Sequence, residues 1–216
     1  QGVGSGDAVA GRRHGHRAEG PRSVAWMEMG HRIEEIVDDS CGFESHGQIK
    51  VAESEADLNK LRQRATQLRS IGFDYEEVID CRELRGLLPA ISTHCVGGLV
   101  SRRDGAALPF RTTLAFKRKA ERLGARFYEG TRFTNLIRAN RVWRITTDRG
   151  VFEAPVVVNA AGAWGGNIAM LLGEPVPIEA NAYMLMITAP MTQFVKPVVG
   201  STSRPPSLNP FSPGTG

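Results

Sequence analysis

Apolar residues along the middle of the chain recur with two periods. In SEADLNKLRQRATQLRSIG, Leu58, Leu61, Ala65 and Leu68 fall three and four positions apart, the spacing of one helical face. Ser54 is placed to cap that helix, with Asp57 in its first turn and Gly72 past its end. GHRIEEIVDD carries Ile33, Ile36 and Val37 at helical spacing. DCRELRGLLPAI predicts a short helix opened by Asp80 and Glu83 as a capping box and stopped before Pro89. A further helix is predicted from about Pro109, with Phe116, Ala120 and Leu123 on one side and Gly124 closing it.

Other segments alternate. GQIKVAES reads as a strand, as does ARFYEG, and FTNLIRAN, RVWRITTD and GVFEAP form short alternating pieces with Asp148, Arg149 and Gly150 as a turn. Then EAPVVVNAAGAWGGNIAMLLG breaks the pattern. Val156, Val157 and Val158 predict a central strand covered on both faces. It ends abruptly in Ala160, Ala161, Gly162 and Ala163, followed by Trp164 and an apolar, helix-like stretch. The order of helix, strand, meander, buried strand and helix describes part of an α/β sheet with the meander as an excursion.

Small residues at such a strand end carry a chemical implication. Ligands of open α/β sheets bind beyond the carboxyl ends of the strands, and a backbone without branched side chains approaches a ligand closely. Small residues also permit tight helix–sheet packing, and spacing alone leaves both explanations open.

Composition narrows the classes. Of the 216 residues, 41% are hydrophobic and 23% charged, as in ordinary globular proteins. No apolar run approaches the roughly 20 residues of a membrane span, and the opening residues show no apolar signal core. The net charge of +4 owes much to Arg12, Arg13, Arg17 and Arg22 in a Gly-rich opening with no interleaved aromatics. A nucleic-acid partner is therefore not expected. Cys41, Cys81 and Cys95 are scattered, without a C-x-x-C pair. Neither a disulfide framework nor a metal site is expected, and His14 with His16 has no further ligand close in sequence. A cytoplasmic location is the expectation. Residues 1–29 and 201–216 are expected to be irregular.

The order GTRFTNLIRANRVWRITTDRGVFEAPVVVNAAGAW resembles the flavoprotein family of D-amino acid, glycine and sarcosine oxidases and related amine dehydrogenases. VVVNAAGAW is its most specific piece. RRDGAALPFRTTLAFKRKAERLGARFYEGT is similar to the family's linker into its FAD-binding domain, and EPVPIEANAYMLMITAP to the strand that returns to its substrate domain. The likeness runs over about residues 30–200. The family pattern has an acidic residue before the proline of the linker, where this chain has Leu108 before Pro109. The family also opens on a Gly-x-Gly-x-x-Gly turn. Here Gly2 and Gly4 are followed by Asp7, and Gly4 and Gly6 by Val9, so no such fingerprint forms. The family's C-terminal portion is not found either, and an internal fragment is expected.

The resemblance implies a fold class of α/β type: a partial FAD-binding Rossmann-like domain with a meander, plus a partial α+β substrate domain. It implies 30–105 and 174–200 as substrate-domain parts and 106–173 as the FAD-binding part. FAD is the implied cofactor, with Phe133, Ala160, Ala161, Gly162 and Trp164 beside it. The implied reaction oxidises a C–N bond of an amine, D-amino acid or imino acid, with the truncated chain inactive alone. Candidate substrate residues are His46, Gln48 and Tyr183; Tyr183, with Met184 and Met186, also suits plain apolar packing. Partner subunits are left open. The alternative is a non-catalytic remnant or binding subunit that retains the scaffold.

Overall fold

The computed structural model describes residues 24–178, 187, 189 and 191–203. Residues 24–31 are helical. There follow α1 (Ile33–Val37), β1 (Gln48–Ala52), α2 (Glu55–Ser70), β2 (Glu77–Asp80), α3 (Cys81–Leu87), β3 (Gly97–Ser101) and α4 (Pro109–Arg122). After them come β4 (Phe133–Ala139), β5 (Val142–Thr147), β6 (Gly150–Ala154), a 3₁₀ turn (Gly162–Trp164), α5 (Gly165–Leu171) and β7 (Val198–Ser201). The chain divides into two compact units. One comprises Gln1–Gly124 with Pro190–Gly216, the other Ala125–Ala189.

Unit one is built on a mixed sheet of order β2-β3-β1-β7. β3 runs antiparallel to both β1 and β2, while β7 lies parallel to β1. The alternation in β1 sends Ile49 and Val51 to one face, where they bury with Ile79, Leu84, Val100 and Val199. On the other face α2 lays down Leu58, Leu61 and Ala65 against Ala52 and Leu99. The Ser54 hydroxyl accepts from the Asp57 amide at 3.2 Å and donates to the Asp57 carboxylate at 2.8 Å. Gly72 closes the helix at φ +89°. Asp80 caps α3 through the Glu83 amide at 2.8 Å. The Glu83 carboxylate turns instead to Arg102, so half of the predicted capping box forms.

β3 is buried at all five positions, and its two glycines are sterically required. A Cβ at Gly97 would lie 2.6 Å from the Ile79 carbonyl oxygen, and one at Gly98 2.8 Å from that of Lys50.

α4 starts at Pro109 as predicted, but the expected apolar face is not the buried one. Ala115 packs with Ile33, Val37 and Cys41, whereas Phe116 and Leu123 are exposed and Phe110 is 88% exposed. Ion pairs accompany this orientation. Lys119 and Arg122 hold Asp38 at 2.9 and 2.6 Å, and Arg111 holds Asp39 at 2.7 Å. The guanidinium and ammonium groups keep the Asp38 carboxyl below its ordinary range, the Lys119 hydrogen bond contributing most.

Unit two is a three-stranded antiparallel meander, β4-β5-β6. Asn140 and Arg141, at φ +51° and +66°, make the two-residue turn between β4 and β5, the left-handed pair that suits the sheet's twist. Asp148 and Arg149 make the next. Leu136 is buried, and α5 packs against β4.

Two expectations fail here. ARFYEG forms no strand; its residues are exposed, with Tyr128 edge-on to Phe152 at 4.7 Å. Val156 to Val158 are non-helical, as expected, but pair with no strand among the described residues, and Val158 is 82% exposed. An apolar run encodes a tendency to be buried in a sheet, but burial needs neighbouring strands, and none of the described ones lies beside it.

Candidate functional site

The segment from Asn159 to Gly165 in unit two is organised by one side chain. The Asn159 amide donates to the Gly165 carbonyl at 2.9 Å, and its carbonyl accepts from the Ala161 amide at 3.3 Å. This is the local bonding by which asparagine folds the chain back on itself. The Trp164 amide then donates to the Ala161 carbonyl at 3.0 Å. Asn159 was missed in the sequence, although an asparagine ahead of a small-residue run is the available signal.

Within this turn Ala160 and Gly162 are exposed and Ala161 half-buried. Gly162 adopts φ +54°, and a Cβ placed there meets nothing within 4 Å. Trp164 is 71% exposed. Among the described residues, no side chain packs against the Gly162 side of the turn. Phe133, half-buried, begins β4 opposite Thr147, where the register shifts before Asn135. α5 brings the turn's following helix onto β4.

Two of the three substrate candidates belong to unit one. His46 precedes β1 in unit one, and its Nε2 sits 3.4 Å from the Glu44 carboxylate. Gln48 begins β1, half-buried, on the face opposite Ile49. Tyr183 lies outside the described residues, as do Met184 and Met186. His46 and Gln48 belong to one compact unit and the small-residue turn to the other. Burial pushes the Cys41 and Cys95 thiols up, which leaves them protonated and inert. Among the described residues no three His, Cys, Asp or Glu side chains gather as a metal site, and no helix is long and apolar enough to cross a membrane.

The mixed sheet of unit one and the antiparallel meander of unit two, with their helices, give the chain an α/β fold. Glycine oxidase from Geobacillus kaustophilus superposes with a TM-score of 0.74 over 92% of this chain and 56% of that one, at 20% identity. The chain belongs to the FAD dependent oxidoreductase family, whose model matches residues 3–210. Among curated proteins it is 31% identical over 146 residues to D-amino acid dehydrogenase of Rhizobium johnstonii, covering 65% of this chain and 35% of that protein. It is 26% identical over 164 residues to the mitochondrial pyruvate dehydrogenase phosphatase regulatory subunit of Mus musculus, covering 74% and 19%. The chain thus spans about a fifth to a third of the length of these curated relatives.

Proposed function

We propose that the chain forms part of an FAD-dependent oxidoreductase that oxidises the C–N bond of an amine, D-amino acid or imino acid. The observation that carries this is the open small-residue turn at Ala160 to Gly162 within a chain whose family match runs over residues 3–210. The turn suits a cofactor on one side: among the described residues nothing lies within 4 Å of a Cβ placed at Gly162, and its side chains are small. Bound FAD supplies the two-electron acceptor. Ala160, Ala161 and Gly162 would lie along it, their small size letting the chain pass close to the nucleotide, with Phe133 at the start of β4 and Trp164 after the turn beside it. Residues 106–173 make up the FAD-binding part, with 30–105 and 174–200 on the substrate side. His46, Gln48 and Tyr183 orient the substrate. The location in this reading is cytoplasmic.

The test uses a flavin-loaded protein that carries this segment together with a Gly-x-Gly-x-x-Gly turn, mixed anaerobically with a panel of D-amino acids, N-methylated glycines and imino acids. Loss of flavin absorbance with one class supports the reading, and a flavin that stays oxidised with all of them refutes it. A second reading draws on the regulatory-subunit relative: a scaffold that binds a partner protein without turnover. If the longer protein that carries this segment takes up no flavin at saturating FAD, yet co-purifies with a partner, that reading is supported.

A further inference from the structure

Within unit one, three side chains converge at one end of the four-stranded sheet. Glu53 directly follows β1, and Ser92 and His94 lie in the turn that leads to β3. Pairing of Ala52 with Gly97 sets these two chain segments side by side. Ser92 Oγ is 2.6 Å from His94 Nδ1, and His94 Nε2 is 3.7 Å from Glu53 Oε2. The Ser201 hydroxyl donates to Glu53 Oε1 at 3.1 Å and helps to fix that carboxylate.

The turn itself is anchored. The Cys95 amide donates to the Ser92 carbonyl at 3.2 Å, and the Cys95 side chain is buried. The Arg85 guanidinium donates to the carbonyl of Thr93, between serine and histidine, at 2.9 Å. A carboxylate facing Nε2 favours the tautomer protonated there. Nδ1 then carries the lone pair that accepts the Ser92 O–H. A hydroxyl bonded to a base, with the base oriented by an acid, is the arrangement of an activated nucleophile.

We propose that Ser92 is such a nucleophile, a site of covalent modification by acylating agents such as activated esters, with His94 as general base and Glu53 as its positioning residue. In the reaction, Ser92 Oγ bonds to the acyl carbon while His94 Nδ1 takes the hydroxyl proton. The ester C–O bond breaks, the leaving group departs with the electron pair, and the proton passes from the imidazole to it. His94 is 62% exposed, so the reagent reaches the site. The assignment involves unit-one residues alone and is independent of the flavin chemistry proposed above.

The experiment treats the 216-residue chain with limiting p-nitrophenyl acetate and locates acetyl groups by peptide mass spectrometry over time. Ser201 is the internal control, a hydroxyl that donates to the same carboxylate at 3.1 Å. A positioned general base is worth about 10²–10⁴ in rate; with His94 open to water, acetylation of Ser92 is expected at least about tenfold faster than of Ser201. His94→Asn should reduce Ser92 to the rate of Ser201. Glu53→Gln should slow it severalfold with the urea-unfolding midpoint of the protein unchanged. Ser92 acetylated no faster than Ser201, acetyl found on lysines or His94 alone, or an unaltered rate in His94→Asn would each overturn the proposal.

Discussion

Gly97→Ala should destabilise the protein, and Gly86→Ala should stabilise it, although the chemical change is the same. At Gly97 the added methyl lies 2.6 Å from the Ile79 carbonyl oxygen, with the Leu58 methyls at 3.2 and 3.3 Å. The first contact is with backbone held in the β2–β3 ladder, which cannot swing aside as a side chain does. Overpacking of a buried site costs about 1–3 kcal/mol. Gly86 is exposed within α3, and a methyl there meets nothing within 4 Å. Removing backbone freedom from the unfolded chain should contribute about 0.5–1 kcal/mol in favour of folding. Urea unfolding followed by circular dichroism reads both. With a slope of about 1–3 kcal/mol per molar, a 2 kcal/mol loss moves the midpoint down by roughly 0.7–2 M. Equal midpoints for Gly97→Ala and the parent chain would mean that β2 and β3 are not packed as described.

Three further outcomes are expected. The 216-residue chain, mixed with FAD and passed through a gel-filtration column, should emerge without stoichiometric flavin, because no Gly-x-Gly-x-x-Gly turn occurs in it. Two missing charge-assisted hydrogen bonds to a pyrophosphate, at about 1.5–3 kcal/mol each, weaken binding by on the order of 10² to 10⁴; retained flavin at one per chain would refute this. Gly162→Val should cost about 1–2 kcal/mol in flavin-free protein, since φ is +54° and the left-handed region penalises a side chain. It should weaken flavin affinity further in a flavin-loaded protein that carries this segment, whereas unchanged affinity would detach the turn from the cofactor. Asp57 is held at about 2, below the ordinary 3.8, by hydrogen bonds from Ser203 first, then Lys60 and Ser54. Its carboxylate therefore stabilises the fold above pH 3.8, and that contribution fades as the pH falls through about 2. The gap in unfolding midpoint between the parent chain and Asp57→Asn should close across that window, and a pH-independent gap would refute the assignment.

Local chemistry was the legible part of this sequence. Ser54, Gly72, Asp80 and Pro109 mark helix ends through hydrogen bonds and backbone angles that depend on a few adjacent residues. Illegible features depended on distant chain. The face that α4 buries is set by Ala115 packing on Ile33, Val37 and Cys41, more than 70 positions away, so the helical periodicity pointed to a different face. The valine run was legible as apolar and non-helical, but not that it pairs with no strand among the described residues. In the small-residue turn, Ala160 to Gly162 stood out by composition. Asn159, which ties the turn at both ends, passed unnoticed because its role lies in bonding rather than in size.

The parallel pairing of β1 with β7 has a consequence for the order in which the protein comes into being. Gln48 to Val51 meet partners at Val198 to Ser201, and the whole of unit two is encoded between them. During synthesis at about 5–20 residues per second, β1 waits roughly 7–30 s for that neighbour. Throughout the interval one side of β1 carries unpaired amide and carbonyl groups, a template for pairing with another nascent chain. Contacts so distant in sequence also slow the final closure of the sheet. The interval between translation of β1 and of β7 is thus when this chain is most exposed to misassembly, and when a chaperone has most to protect.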